Sequence, residues 1–257
     1  MDTDSNHDRR MILVPIDAHG VDRATIETLV ALARKLGRGL LGMVLDNARL
    51  QRVAELPFTT EIVLAGGKER ALRGEQLNRY GEKIISEARH LLGELATRQQ
   101  VSITFEYARG ERLPALLKRS GPVDIFLPRR LRWHALAVSY VPYQIPVKAL
   151  GVALSGGAED KAVIAAAGAL LGLGQANQVY ILARGEPARE RVAAWSRPGV
   201  RVCVQSRLPG DPVALAQLIA QSPYELLILP RLVVANMAPA LLDKALDAAA
   251  GQVLLVN

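Results

Sequence analysis

Three arginines, Arg129, Arg130 and Arg132, stand close together after the apolar run 125–128. A guanidinium group can hold a phosphate or a carboxylate through two parallel hydrogen bonds, so this cluster predicts a site for a small anionic ligand. The alternative is that the three side chains are solvated or pair with neighbouring acids. Both interpretations stay open, because no glycine-rich segment accompanies the arginines.

A second polar group, Asp17, His19 and Gly20, follows the first apolar run of the chain, 11–16. Short, uninterrupted apolar runs are typical of buried parallel strands, and ligands bind where the carboxyl ends of such strands meet. We therefore expect this group to lie beside the arginines. No serine, cysteine or second histidine stands at a spacing that identifies a catalytic triad, and the four histidines are scattered. The sequence thus predicts neither catalytic residues nor a metal site.

A third candidate is the segment formed by Ser155, Gly156 and Gly157, which follows another apolar run. Backbone amides in such a segment can surround an anion at the start of a helix. The same residues are also typical of a tight strand-to-helix turn without a ligand. Elsewhere, Gly66-Gly67-Lys68 resembles part of a phosphate loop, but it lacks the spacing and the following serine or threonine, so we predict a flexible loop there.

Length and composition restrict the class of protein. The chain has 257 residues, enough for two domains, and a net charge of +7. Its basic residues alternate with acidic ones, which indicates solvated helix faces, and no nucleic-acid-binding module is recognisable. No apolar run reaches the roughly 20 residues that a membrane helix needs. Residues 1–10 contain no apolar core, so we expect a disordered leader, no secretion signal and a cytoplasmic protein.

Strands and helices alternate along the chain in two copies, which predicts two tandem α/β domains at 11–146 and 147–257. The clearest sign is a repeated strand: residues 124–129 and 225–231 each consist of an acidic residue, an apolar run and Leu-Pro-Arg. Residues 101–107 instead alternate apolar with polar, which indicates a half-exposed edge strand. The predicted helices cover 22–36, 74–97, 113–119, 159–173, 212–221 and 239–250.

These features together resemble the universal stress proteins in their tandem form. The resemblance rests on Val14-Pro15-Ile16-Asp17, on a helix that ends in Ala33-Arg34-Lys35-Leu36-Gly37, on the alternating third strand and on Ile228-Leu229-Pro230-Arg231. It implies two doubly wound, mainly parallel, Rossmann-like sheets of five strands each, in strand order 3-2-1-4-5, with a shorter second copy. It also implies a role in stress response.

Many universal stress proteins bind ATP through an aspartate after the first strand and a glycine-rich loop after the fourth. Asp17 matches the aspartate, but the sequence after Pro128 contains no glycine until Gly151, and Ser155 stands at the aspartate position of the second copy. We therefore predict a non-enzymatic regulatory or interaction protein that does not bind ATP in the usual way and has no cofactor. The alternative is a module that senses nucleotides or small anions through Asp17 and the three arginines.

The last predicted strand, Gln252 to Val256, is uncharged and apolar. Such a strand would form an exposed sheet edge, which proteins usually cover. Family members commonly pair through their last strand, so the resemblance implies a homodimer formed through this segment. A further protein partner is also expected, whereas nucleic acid and membrane are not.

Overall fold

The computed structural model describes residues 10–16, 23–46, 60–63, 68–71, 74–109, 112–119, 121–128, 148–174, 176–185, 195–196 and 198–257. The first half forms β1 (Met11–Ile16), α1 (Arg23–Leu36), β2 (Gly39–Asp46), β3 (Thr60–Val63), β4 (Lys68–Ala71), α2 (Gly74–Arg98), β5 (Ile103–Arg109), α3 (Arg112–Leu117) and β6 (Val123–Leu127). The second half forms β7 (Ala149–Leu154), α4 (Asp160–Gly172), β8 (Gln178–Ala183), β9 (Arg201–Arg207), α5 (Pro212–Gln221), β10 (Leu226–Pro230), α6 (Arg231–Ala235), α7 (Pro239–Ala248) and β11 (Gln252–Val256).

Local sequence signals explain where the helices begin and end. Helix α1 stops at Gly37, whose φ of 64° lies in the left-handed region that glycine adopts without a steric penalty. Helix α5 starts at Asp211, whose carboxylate accepts a hydrogen bond of 2.8 Å from the Ala214 amide. Pro212 occupies the first helical position, where its missing N–H costs nothing. Both boundaries confirm the sequence prediction.

Nine strands form a single sheet in the order β5-β2-β1-β6-β11-β10-β7-β8-β9. Neighbours within each half are parallel, as predicted, but β11 and β6 are antiparallel. The order is therefore 3-2-1-4 in the first half and 5-4-1-2-3 in the second. In the part of the chain that the structure describes, this continuous sheet replaces the two separate five-stranded sheets predicted from the sequence. The physical reason is that β11 covers the edge of β6, where a fifth strand of the first half was expected.

Strand β11 is consequently a central strand. It pairs with β10 on one side and with β6 on the other, so both rows of its backbone groups are bonded. The prediction of an exposed edge at Gln252 to Val256 is wrong, and this strand has no free edge through which two copies could pair. The homodimer itself stays a prediction, without the C-terminal strand as its interface. The domain boundary near residue 146 also stays a prediction, because it falls outside the described residues.

The sheet separates two apolar layers, and each layer runs through both halves. Helices α1 and α4 contact each other across the middle of one face, with α2 packing beside α1. On the other face α5 contacts α7, which also touches α3 of the first half. Strand residues at the seam are fully buried, including Phe126, Ile228 and Leu254. Each of the two apolar layers is therefore formed by both halves together.

Three short elements were not predicted. Strands β3 and β4 form an antiparallel hairpin in a region where the sequence indicated loops, and Lys68, assigned to a flexible loop, is the first residue of β4. Each strand has only four residues, and Lys68-Glu69-Arg70 lacks an apolar pattern. Helix α6, of five residues, follows Pro230 directly. Elements of this length carry too few residues for a periodic signal.

The predicted edge strand is confirmed. Strand β5 lies at one end of the sheet and β9 at the other. The side chains of Tyr107 and Val204 on these strands are 72% and 61% exposed. No helix in the described residues has the length and apolar character needed to cross a membrane.

Candidate functional site

The carboxyl ends of β1 and β6 form the edge where the first-half site was predicted. The two strands are adjacent and parallel, with Met11 opposite Val123 and Leu13 opposite Ile125. If this register continues, Ile16 lies level with Pro128. The predicted site residues Asp17, His19, Gly20, Arg129, Arg130 and Arg132 come directly after these ends and lie outside the described residues. The structure therefore supports the proximity of the two strand ends, and the side chains themselves stay a prediction.

The second-half candidate lies at the opposite edge of the sheet. Strands β7 and β10 are parallel to β11, and β11 is antiparallel to β6. The carboxyl ends of β7 and β10 consequently point away from those of β1 and β6. A strand of five residues spans about 17 Å, so the two candidate edges are separated by roughly the height of the sheet.

Ser155, Gly156 and Gly157 connect β7 with α4, and their polar groups bond within the protein. The Asp160 carboxylate accepts hydrogen bonds from the Ser155 amide at 2.8 Å, from the Ser155 hydroxyl at 3.1 Å and from the Gly156 amide at 3.0 Å. The Gly157 amide donates to Ser155 Oγ at 3.2 Å. Asp160 is only 3% exposed. An internal carboxylate thus occupies the position that an external anion would take.

The backbone of this turn needs a glycine at position 156. Gly156 has a φ of 85°, in the left-handed region that other residues avoid. A Cβ at Gly157 would come within 2.9 Å of Glu159 Oε2 and 3.2 Å of Ser155 Oγ. These features describe the tight strand-to-helix turn that was the alternative interpretation of the segment. Ligand binding at these three residues stays a prediction that requires displacement of Asp160.

We expect Asp160→Ala to lower the free energy of unfolding by about 1–3 kcal/mol, because two backbone amides would lose their acceptor. Chemical denaturation with far-UV circular dichroism measures the change. Asp211→Ala is a matched control, since it removes an exposed N-cap bond at the start of another helix and should cost about 1 kcal/mol. An Asp160→Ala variant as stable as the wild type would contradict the role of this carboxylate.

Arg231, the last residue of the second Leu-Pro-Arg repeat, contacts the first half of the chain. Its guanidinium donates two hydrogen bonds of 2.6 Å, to the carbonyl oxygens of Leu117 and Arg119. These carbonyls lie at the end of α3, where a helix leaves acceptors unsatisfied and favours a positive charge. Burial lowers the pKa of Arg231 from its ordinary value. Arg231 therefore connects the two halves.

The acidic residue that opens each repeated strand is also bonded internally. Asp124 is 1% exposed, forms an ion pair with the buried Arg38 and accepts a hydrogen bond of 3.0 Å from the Asn257 amide. In the second half, Glu225 accepts a hydrogen bond of 2.6 Å from the Ala149 amide. Each acid therefore connects the start of its own strand with one end of a neighbouring strand. Sequence reasoning noted these residues only as part of the repeat, although their shared position was the signal for a common structural role.

Arg38 remains protonated at neutral pH. Burial, followed by the nearby charge of Arg10, lowers its pKa to about 10. A buried guanidinium needs a compensating charge, and the Asp124 carboxylate supplies it. This pair lies at the amino ends of β2 and β6, away from the predicted first-half edge. It holds the fold rather than a ligand.

The described residues contain no group of three or more histidine, cysteine, aspartate or glutamate side chains that could hold a metal ion.

No protein-family model and no curated protein sequence matches the chain. Its structure is similar to that of a universal stress protein from Archaeoglobus fulgidus, at 9% identity and a TM-score of 0.48, with 96% of each chain covered. A functionally unknown protein from Pseudomonas aeruginosa shows 12% identity and a TM-score of 0.46, over 97% of this chain and 92% of the other.

Proposed function

We propose that this chain is a non-enzymatic regulatory or interaction protein of the universal-stress-protein type that does not bind ATP in the usual way. One observation carries the proposal: in the second half, both groups that could bind a phosphate are already bonded within the protein. The amides of Ser155 and Gly156 face Asp160, and the Arg231 guanidinium faces the carbonyls at the end of α3. The proposal includes a role in stress response, which comes from the sequence resemblance, and a cytoplasmic location, which comes from the composition of the sequence.

A second candidate function concerns the first half alone. The level ends of β1 and β6 support a site in which Asp17 and the cluster Arg129, Arg130 and Arg132 bind a nucleotide or a small anion. Three cations beside one another attract a phosphate even without a glycine-rich loop. This candidate differs from the first in one respect that can be measured, which is saturable ligand binding.

Isothermal titration with ATP, ADP, AMP and cyclic dinucleotides separates the two candidates. The Arg129→Ala/Arg130→Ala variant tests the first-half site. Arg34→Ala/Lys35→Ala removes the same charge from the exposed end of α1 and is the matched control. Absence of saturable binding supports the first candidate. Binding that is lost in the first variant and retained in the control establishes the second candidate instead.

An enzyme of the related adenine-nucleotide hydrolase type would release phosphate or pyrophosphate during the same incubations. We expect release no faster than in buffer. Release above that background, lost together with the arginines, would contradict a non-enzymatic function.

A further inference from the structure

In the part of the chain that the structure describes, the outer edge of β9 has no neighbouring strand, and it has a distinct chemical character. Among the described residues β9 pairs only with β8, so one row of its amide and carbonyl groups has no strand beside it. Val204, within the strand, is 61% exposed. Arg201 and Arg207, the first and last residues of the strand, are both exposed. An unpaired backbone, an apolar centre and two positive ends therefore share one edge, which we call the β9 edge.

We propose that the β9 edge binds an extended acidic segment of a partner protein, which joins the sheet as an additional strand. This inference rests on the proposed interaction function and names the chemical class of the partner. In strand addition, main-chain hydrogen bonds supply affinity and alternate side chains supply specificity. The register shift after Val204 places Arg207 on the opposite face of the sheet from Arg201. Carboxylates on one face of the segment would therefore meet Arg201, and apolar residues on its other face would cover Val204.

Charge complementarity selects this occupant. Neither Arg201 nor Arg207 forms an ion pair with another residue that the structure describes. The chain as a whole carries a net charge of +7, which favours encounter with an acidic partner. A basic or neutral segment would gain the same main-chain bonds without the charge contact. The partner is therefore distinguished by its acidic residues.

A second copy of this chain fits the edge poorly. Antiparallel pairing of two β9 strands centred on Val204 would bring Arg201 of each copy close to Arg207 of the other, and like charges opposite each other are destabilising. The register of β9 against β8 also shifts after Val204, so that an extra residue distorts the strand. Bulges and charges of this kind protect edges from self-association. The segment from Arg201 to Val204 lies before the shift, so its backbone is regular and can pair with a complementary partner.

The opposite edge of the sheet, β5, lacks this character because its charges are neutralised locally. Glu106 forms two hydrogen bonds of 2.7 Å with the Arg119 guanidinium. Arg89 lies over the rings of Phe105 and Tyr107, at 4.9 and 5.4 Å from their centroids. Residues 103–108 of this strand include no lysine or arginine that could meet an acidic segment. Strand β5 therefore serves as the internal comparison.

The probe is a fluorescein-labelled peptide of nine residues that alternates glutamate with valine. Fluorescence anisotropy with the full chain should show saturable binding. A peptide with lysine in place of glutamate should bind about tenfold more weakly, since the ion pair with Arg201 is lost and a repulsion between like charges replaces it. A glutamate peptide with proline at its centre should also bind more weakly, because proline cannot donate to a ladder. Cys203, the single cysteine of the chain, is partly exposed in β9 and should react more slowly with a thiol reagent when the glutamate peptide is bound.

Charge reversal provides the decisive comparison. Arg201→Glu/Arg207→Glu should reverse the preference, so that the lysine peptide binds more tightly than the glutamate peptide. Arg34→Glu/Lys35→Glu changes the net charge equally on α1 and should leave the preference as in the wild type. Equal affinity for both peptides, or a preference that the β9 reversal does not change, would overturn the proposal. A concentration-dependent dimer that Val204→Lys abolishes would overturn it in favour of self-association. None of these three results alters the nucleotide titrations. Failure of this inference is therefore distinguishable from failure of the proposed function.

Discussion

Replacing Asp124 with alanine is expected to destabilise the protein by about 3–5 kcal/mol, because it leaves the buried Arg38 cation without its partner. Arg38 is 8% exposed and Asp124 is 1% exposed, so water cannot take the place of the carboxylate. The Asn257 amide loses its acceptor in the same variant. Denaturation in urea, monitored by circular dichroism, measures the change.

Two comparison variants show whether the cost comes from the unpaired charge. Arg38→Met/Asp124→Leu removes both charges and should recover most of the stability, since well-packed apolar residues often replace a buried ion pair without loss. Glu27→Ala breaks the exposed pair between Arg23 and Glu27 and should change stability by less than about 1 kcal/mol. An Asp124→Ala variant that is no less stable than Glu27→Ala would show that the buried pair contributes nothing.

The nine strands of the large sheet and most helices could be predicted because their signals are local. The continuous apolar runs of β1 and β10 indicated buried parallel strands, and the alternation in β5 indicated an edge. Glycine and aspartate marked helix ends, as Gly37 and Asp211 show. Each of these properties depends on residues that are close in sequence. The order 3-2-1-4-5 implied by the resemblance is found in the second half, whereas the described residues of the first half form only 3-2-1-4.

The way in which the halves join could not be predicted from local signals. The apolar pattern of β11 is the same whether its second edge is free or paired with β6, more than a hundred residues away. The contact between Arg231 and the carbonyls of α3 likewise depends on the antiparallel seam. The hydrogen bonds of Asp160 depend on residues that are close in sequence, unlike the contact of Arg231. An aspartate in the first turn of a helix is a natural acceptor for the preceding amides. What the sequence could not show was that this internal carboxylate takes the position of an anion.

Leu254→Ala is expected to destabilise both halves together, by about 2–5 kcal/mol. Leu254 is fully buried in β11, opposite Phe126 of the first half and Ile228 of the second. A cavity at this position weakens packing on both sides of the seam, since each half uses β11 to complete its part of the sheet. Hydrogen exchange measured by mass spectrometry can follow β2 and β8 as separate reporters of the two halves.

If the sheet is one cooperative unit, amides of β2 and β8 should lose protection by the same free energy in the Leu254→Ala variant. Leu232→Ala, at a side chain that is 62% exposed, should leave both strands unchanged. Loss of protection confined to β8 would show that the first half is stable without β11. In that case the continuous sheet would consist of two independent folding units in contact, and the seam would hold them together without supporting either.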